Sequence, residues 1–326
     1  MGVHQTKVGG GKLKEKYKVE LITPEEKTEL FNKNFPRYLY HAKANIYGCC
    51  IKLLTEIEDV KNRWEDNFYT SDYDIRSHGR LVVLEDKGSE LSVKYDPYTK
   101  TAFLTNVGYY GWIKSIALSV AGDILEDEHD VYSVHGAAID VNGVGVAIIA
   151  PSGTGKTTQS WGLLGLKGAR LVTDDWFFVR LFERGPLAFG SEKNCYVEAD
   201  IGKVWDEYEG LVEKAHFDQK GRAIVNVRWI VGGGGVIPML TLRKVIMLKR
   251  DQSDPAIARK LGAEEGLDYL VENDFCNPHQ PVRDERKMKL RRDVFKKLFG
   301  MTEVYLVNTT QTPQETRAEI LKIIKS

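Results

Sequence analysis

The sequence predicts an α/β protein with a mixed sheet in its core and an added α/β region at the N-terminal side. Two observations predict the core: a β-hairpin pattern over 131–149, and a glycine-rich loop between an apolar run and a helix-like segment over 144–166. A third observation, strand-like stretches separated by polar ones over 19–110, predicts further α/β structure there. The length of 326 residues is typical of about two domains.

The hairpin is predicted from its turn. Val131 to Val141 is strand-like, and Asn142-Gly143 is a strong signal for a two-residue hairpin turn. Val144 to Ala150 is an apolar run of strand length. The hairpin therefore leads directly into the glycine-rich loop, and it carries His135 on its first strand.

The loop has the composition of a phosphate-binding loop. It runs from Ala150 to Thr157 and fits the pattern G-x-x-x-x-G-K-[ST], except that Ala150 replaces the first glycine. Its glycines let the backbone turn tightly, so that successive N–H groups point at one anion. The helix that follows adds the positive end of its dipole. The predicted nucleotide-binding residues are Ser152, Gly153, Thr154, Gly155, Lys156, Thr157 and Thr158.

Two adjacent carboxylates follow the loop by one helix and a turn. Asp174 and Asp175 interrupt a strand-like stretch over 170–179. In phosphoryl transfer a metal ligand and a general base are needed at such a position. Asp174, Asp175 and the Thr157 hydroxyl are therefore the predicted metal ligands. Because adjacent carboxylates repel each other, a nearby cation is needed for both to stay ionised.

The order of these motifs resembles the superfamily of HPr kinases and phosphoenolpyruvate carboxykinases. Ser152 to Thr158 (SGTGKTT) is similar to the carboxykinase loop, whereas His135-Gly136 and the Asp174-Asp175 strand look more like HPr kinases and related small-molecule or peptide kinases. The resemblance covers roughly 116–326. It implies a P-loop core with a mixed sheet and a nucleotide with Mg²⁺ as its metal ion. ATP is the expected nucleotide, although the sequence does not distinguish ATP from GTP.

The predicted activity is therefore that of a kinase. Asp174 or Asp175 would accept a proton from an acceptor hydroxyl, which belongs to a small molecule or to a serine of a peptide or protein. His135 would contact phosphate, metal or acceptor, and Lys156 would neutralise charge on the transferring group. Two alternatives use the same loop: a regulatory module that binds or hydrolyses ATP without an acceptor, and a carboxykinase-like lyase.

An arginine and a glycine run further along extend the predicted site. The glutamate-arginine signature of HPr kinases has no clear copy, but Asn226-Val227-Arg228 stands near where it would fall. Arg228 is the predicted partner for developing phosphate charge. The absent glutamate favours a small-molecule acceptor over HPr. The run from Gly232 to Gly235 predicts a mobile loop and a candidate substrate lid, because four glycines are entropically costly to order.

Four helices are predicted outside the loop helix. Apolar residues recur at helix spacing over 113–124, which predicts an amphipathic helix that opens the core. A second helix is predicted over 255–271. A third, basic and amphipathic, spans 288–298, with its charges expected in solvent. The last begins at Thr312, where threonine, proline and glutamate form a capping-box pattern.

The domain and partner predictions are simple. We expect a disordered tail over 1–18, an N-terminal α/β region over 19–110, and a nucleotide-binding domain over 111–326.

Lysine plus arginine equals aspartate plus glutamate at 46 each, which argues against nucleic acid as a partner. No stretch is long and apolar enough to span a membrane. The four cysteines form no C-x-x-C pair, so a cytoplasmic protein is expected. Homo-oligomers occur among the HPr kinases that the sequence resembles, so the resemblance implies a homo-oligomer as a candidate assembly.

Overall fold

The structure is a computed structural model that describes residues 17–213 and 215–326. Most of the predicted disordered tail over 1–18 lies outside the described residues. Among those that are described, no helix has both the length and the apolar character needed to cross a bilayer. The architecture is mixed α/β, which confirms the predicted fold class.

The first part of the chain builds a seven-stranded sheet with the strand order β1-β6-β7-β5-β3-β2-β4. Its elements are β1 (Val19–Leu21), α1 (Pro24–Asn34), β2 (Tyr40–Ile46), β3 (Cys49–Thr55), α2 (Glu58–Asn67), β4 (Tyr69–Thr70), β5 (Gly79–Leu84), β6 (Ser92–Asp96) and β7 (Thr101–Thr105). β6 and β7 form an antiparallel hairpin. β2 and β3 form another, in which Tyr47 and Gly48 make the turn with φ of 47° and 84°.

The helix that follows, α3 (Tyr110–Glu128), lies between the first sheet and the second one, which begins at β8 (Val131–Val141). The expected helix is present, and it is covered on both faces. Sixteen of its 19 residues are buried, including Lys114, Asp123 and Glu126. Because both faces are covered, these charged groups need partners inside the protein.

The remaining elements form an eight-stranded sheet, a three-stranded sheet and the helices around them. They are β9 (Val144–Ile149), α4 (Lys156–Leu164), β10 (Ala169–Thr173), β11 (Trp176–Phe182), β12 (Gly185–Phe189), β13 (Asn194–Glu198), α5 (Ile201–Val204), β14 (His216–Phe217), β15 (Arg222–Asn226), α6 (Arg228–Val231), β16 (Met239–Lys249), β17 (Ala258–Leu261), α7 (Ala263–Glu272), α8 (Glu285–Gly300), β18 (Glu303–Asn308) and α9 (Pro313–Lys325). The predicted hairpin is confirmed as β8 and β9, with Asn142 and Gly143 at φ of 52° and 89°.

The second sheet is organised around its two longest strands, β8 and β16. The first half of β8 pairs with β11, and its second half pairs with β9 and β10. β16 pairs with β12 at its beginning, then runs parallel to both β9 and β18. The carboxyl ends of β9, β16 and β18 therefore meet at one edge, which is where ligands bind in open α/β sheets. The three-stranded sheet has the order β13-β15-β14.

One further prediction differs from the structure, and the glycine run takes a defined conformation. The helix expected over 255–271 is partly wrong: residues 258–261 form β17, an edge strand antiparallel to β18, and α7 starts only at Ala263. Strand pairing overrides local helix propensity at this edge. The glycine run includes a turn of 3₁₀ helix over Gly233–Gly235, and Val236 bridges to Leu171; its mobility and its role as a lid stay predictions.

The predicted basic helix is α8, and its charges are divided between solvent and interior. Lys289 and Arg292 are exposed as expected. Lys287 and Arg291 instead point inward, and the expectation of a fully solvated charged face is wrong for them. Lys287 pairs with Asp123 and Asp127 at 2.8 Å each, and the guanidinium of Arg291 pairs with Glu126, which joins α8 to α3. Buried polar side chains of one helix thus match those of the other.

Candidate active site

The phosphate-binding loop lies at the edge where β9, β16 and β18 end. Gly153 and Gly155 have φ of 83° and 94°, a conformation that L residues with a Cβ rarely adopt. The Thr309 hydroxyl, just after β18, donates to the Thr154 carbonyl at 2.9 Å and so ties the loop to the sheet. Residues of the loop line a cavity of about 380 Å³, together with Arg250. A strand, loop and helix therefore frame a polar cavity with the form expected for bound phosphates.

Asp175 is the charged centre of the site. Its carboxylate receives Lys156 Nζ at 3.0 Å and Lys114 Nζ at 2.8 Å. His135 Nε2 lies 3.2 Å from the Oδ1 atom of the same carboxylate. Burial by itself raises the pKa of Asp175, but the charges of Lys114 and Lys156 outweigh it and hold the pKa well below its usual range. Asp175 is therefore an ionised carboxylate among three basic side chains.

His135 is oriented by a strained turn. Its Nδ1 lies 2.5 Å from the Cys276 carbonyl oxygen, and because a carbonyl only accepts, Nδ1 carries a proton. Asp274, Phe275 and Cys276 are three consecutive residues with φ of 51–54°, a left-handed conformation that costs roughly 1–2 kcal/mol for each such residue. The turn persists because Phe275 is buried and Cys276 N–H donates to Asn273 at 2.8 Å. Such strain is typical of functional sites.

The neighbouring Asp174 faces away from the cavity. Its carboxylate accepts a hydrogen bond from Trp161 Nε1 at 3.1 Å, behind α4. Burial raises the pKa of this carboxyl, although Lys156 opposes the shift. The Asp174 backbone carbonyl, by contrast, accepts from Lys156 Nζ at 2.8 Å. The two adjacent aspartates therefore have different environments, and only Asp175 presents its carboxylate to the cavity.

Behind Asp175 lies a buried ion pair that connects the two sheets. Lys114 of α3 reaches Glu192 at 2.9 Å as well as Asp175, and Asn67 at the end of α2 donates to Glu192 at 3.1 Å. Burial would lower the pKa of Lys114, but Asp175 and Glu192 outweigh it and raise that pKa well above its usual value. Lys114 is thus a charged side chain that holds Asp175 from the core side.

A second cavity, of about 440 Å³, adjoins the first. The residues that line both are His135, Pro151, Ser152, Asp175 and Arg222. The left-handed turn forms one wall of the second cavity, and the aromatic rings of Tyr109 and Trp112 form another. Asp175 therefore stands where two cavities meet, one framed by the phosphate-binding loop and the other by aromatic and polar groups.

The structure assembles most of the residues singled out in the sequence. His135, Asp175 and the loop from Ser152 to Thr158 all line the first cavity. Arg228 does not: within the described chain it lies outside the lining of both cavities, with its guanidinium 5.3 Å from the ring centre of Tyr69. The glycine run after α6 is likewise outside the lining of both cavities.

Sequence reasoning missed four basic residues of the site, which are Lys114, Lys220, Arg222 and Arg250. Arg222 lines both cavities, and its Nε and Nη2 atoms donate to Asp218 at 3.0 and 2.9 Å. No sequence signal distinguishes it from other strand arginines. Lys114 had a signal, because it is a lone lysine in the apolar helix segment over 113–121. A charge in that setting is expected to be paired.

The donor set fits a nucleotide-bound Mg²⁺ better than a protein-only metal site. Among the residues that the structure describes, no cluster of three or more His, Cys, Asp or Glu side chains could hold a metal ion. Mg²⁺ at nucleotide sites needs only one or two protein oxygens, with phosphates and water completing its shell. Thr157 and Asp175 supply hard oxygen donors to the same cavity, so they fit such an ion.

Comparisons with known proteins agree with the motif order. No family model matches the chain. Proteins named HPr kinase/phosphorylase from Bacillus licheniformis, Geobacillus thermodenitrificans and Bacillus cytotoxicus are each 30% identical to it over 156 residues. The match covers 48% of this chain and 44% of each relative, so the chain spans less than half the length of the curated relatives that it matches. The HPr kinase-like resemblance inferred from the motifs is thus confirmed over about half of the sequence.

Proposed function

We propose that this protein is an ATP- and Mg²⁺-dependent kinase that phosphorylates a hydroxyl group of a small molecule, a peptide or a protein. One observation carries the proposal: the ionised Asp175 carboxylate stands where the loop-lined cavity meets a second cavity. A kinase needs a proton acceptor between its nucleotide and its acceptor. The similarity to proteins named HPr kinase/phosphorylase supports the same class of reaction.

The proposed step is an in-line transfer. The acceptor hydroxyl enters from the second cavity, and Asp175 takes its proton as the hydroxyl oxygen forms a bond to the γ-phosphorus. The bond from the γ-phosphorus to the β,γ-bridging oxygen breaks, and its electron pair leaves with ADP. The products are ADP, the phosphate ester and one proton. Proximity supplies much of the rate in such reactions because both substrates are held in place.

The other side chains position and neutralise charge. The loop N–H groups and the N-terminus of α4 hold phosphate oxygens. Lys156 exchanges its contact with Asp175 for the outer phosphates, and Arg222, which lines both cavities, faces the transferring group. Thr157 and Asp175 would hold Mg²⁺, which would neutralise phosphate charge. We place the protein in the cytoplasm, which its four buried, unpaired cysteines support.

The test is transfer of labelled γ-phosphate from ATP and Mg²⁺ into two fractions of a cell extract. One fraction holds deproteinised metabolites and the other desalted protein. We expect labelled acceptor with the native chain and none with Lys156→Ala, while circular dichroism shows that the variant is folded. Release of free phosphate without a labelled acceptor would contradict the proposal and favour an ATP-hydrolysing regulatory module.

A further inference from the structure

The geometry points to the second cavity as the acceptor site, and to a small hydroxy compound that carries a carboxylate as its ligand. This inference rests on the proposed kinase activity and specifies its acceptor. Four features of the cavity carry it: an unpartnered buried donor, an aromatic wall with a cation held over it, a second cation beside it, and a tyrosine that connects the two walls.

The first feature is Asn277, which follows the left-handed turn. Its side chain is 1% exposed and lines the cavity. Its Oδ1 accepts the His279 N–H at 3.2 Å, so the amide orientation leaves Nδ2 as the donor. Within the described structure this buried Nδ2 has no hydrogen-bond partner. A buried donor left without a partner is unfavourable, and a ligand acceptor atom would satisfy it.

The second feature is the aromatic wall. The rings of Tyr109 and Trp112 meet edge to face with centroids 5.9 Å apart. Lys220 Nζ lies 4.3 Å from the centre of the Tyr109 ring and 5.8 Å from that of Trp112. An ammonium held by ring faces keeps its positive charge available to an anionic ligand. Lys220 and these rings line the same cavity.

The third feature is Arg222, the second cation on this side of the cavity. Asp218 accepts its Nε and Nη2 hydrogen bonds and also the Tyr109 hydroxyl at 3.0 Å. The guanidinium is thereby fixed beside the aromatic wall. The other lysine of the cavity, Lys114, is already neutralised by two carboxylates. Asp218 likewise neutralises Arg222, so the cation left for a ligand on the aromatic wall is Lys220.

The fourth feature limits the size of the acceptor. The Tyr17 hydroxyl lies 2.5 Å from His279 Nδ1, on the wall of the left-handed turn. The Tyr17 ring also packs edge-on against Trp112 of the aromatic wall, with centroids 5.4 Å apart. Tyr17 thus contacts residues of both walls. The volume of about 440 Å³ is in the usual range for small-molecule sites, about 300–1,000 Å³.

These features together define the ligand. Its hydroxyl must reach Asp175, where the two cavities meet, and its other end meets the Lys220 ammonium and the buried Asn277 donor. A carboxylate satisfies both the ammonium and the donor, whereas a neutral alcohol offers the ammonium no opposite charge. An acceptor hydroxyl within a few bonds of a carboxylate is the class that fits.

The test separates the acceptor by charge. The deproteinised metabolite fraction is passed over a strong anion-exchange resin. The protein is then incubated with labelled ATP, Mg²⁺ and one of three samples: the flow-through, the salt eluate, or the eluate after treatment with acidic methanol. We expect label in the eluate, little in the flow-through, and loss after methylation of carboxylates. Lys220→Gln should raise the apparent KM for the eluate by about tenfold or more and leave the KM for ATP unchanged. Lys289→Gln, an exposed change on α8, is the matched control.

Each remaining outcome has one meaning. Three results would overturn the acceptor class and leave the kinase proposal intact. They are label only in the flow-through, equal label in the methylated and untreated eluates, and label only in the protein fraction. Label in the eluate that does not depend on Lys220 would overturn the assignment of the carboxylate to the second cavity. If no fraction gains label in a Lys156-dependent way, the proposed kinase activity itself fails.

Discussion

At the scale of single residues, the site depends on side chains that share an environment only in the folded chain. Asp174 and Asp175 are adjacent in sequence, yet one accepts from Trp161 and the other from two lysines. Successive residues of an extended backbone point their side chains to opposite sides, so two neighbouring carboxylates can enter different surroundings. Residue type and spacing alone could not distinguish their roles, whereas the direction of each carboxylate does.

The two aspartates should therefore respond differently to the same change. Asp175→Asn removes the proton acceptor and should lower kcat by about 100-fold or more. Asp174→Asn keeps the shape of the side chain. Burial raises the pKa of the Asp174 carboxyl, so loss of its charge should matter little, and the kcat of this variant should change by less than about tenfold. Steady-state transfer assays on both variants test this, with circular dichroism as a folding control. Equal losses of kcat would contradict the assignment of Asp175 alone as base.

The two arginines offer a second contrast. Arg222→Ala should lower kcat by about 100-fold, because Arg222 lines both cavities and we propose that it stabilises developing charge. Arg228→Ala removes only a contact with the Tyr69 ring and should leave kcat within about threefold of the native value. Single-turnover transfer measures the chemical step directly. A large effect at Arg228 with none at Arg222 would restore the sequence-based prediction.

At the scale of elements, α3 and α8 are joined by a buried charge network. Lys287 faces Asp123 and Asp127, and Arg291 faces Glu126. Removing one cation from such a network leaves carboxylates uncompensated in the interior. Lys287→Met should therefore lower the free energy of unfolding by about 3–5 kcal/mol. Lys289→Met on the exposed side of α8 should change it by less than about 0.5 kcal/mol.

The effect of Lys287 should depend on pH. Burial raises the pKa of Asp127, but hydrogen bonds from Lys287 and Lys100 outweigh it and leave the pKa lowered. A lowered pKa contributes stability that is fully present above the unfolded value of about 3.9 and is lost as pH falls through the folded value. The stability difference between native chain and Lys287→Met should therefore shrink below about pH 4. Urea unfolding at several pH values measures it, and a constant difference would argue against the network.

At the scale of the whole molecule, α3 belongs to both sheets. The helix contacts β3, β5 and β7 on one side and β8 on the other, and Lys114 connects it to both Glu192 and Asp175. The chain switches from the first sheet to this helix near residue 110, where the sequence predicted a domain boundary. The division into 19–110 and 111–326 stays a prediction. The helix that both parts share couples them in the folded protein.

We expect the two sheets to unfold in one cooperative step. Separating them would expose an almost wholly buried helix and its charges, at a large cost in free energy. Hydrogen exchange in increasing urea should show the amides of β5 and β9 losing protection at the same denaturant concentration. Two separate steps would mean that the parts fold as independent domains. Gly122→Val, which forces a side chain against Ser133 of β8, should lower both midpoints together.

The sequence by itself determined the central motifs of this protein, because they depend on local chemistry. The hairpin turn at Asn142-Gly143, the loop glycines, the loop helix and the capping box at Thr312 are each set by residues close together in the chain. Backbone preferences and hydrogen bonds over a few residues decide such features. The P-loop, the strand interrupted by two carboxylates and the kinase-like motif order all follow from that information.

Only the tertiary structure decided which groups meet. Arg222 rather than Arg228 lines the cavities, Lys114 reaches Asp175, and residues 258–261 are a strand rather than a helix. In each case the partner is distant in sequence: β18 lies more than 40 residues after β17, and Lys114 precedes Asp175 by 61 residues. Burial and pairing across such distances outweigh local propensity because they depend on the packing of the whole chain.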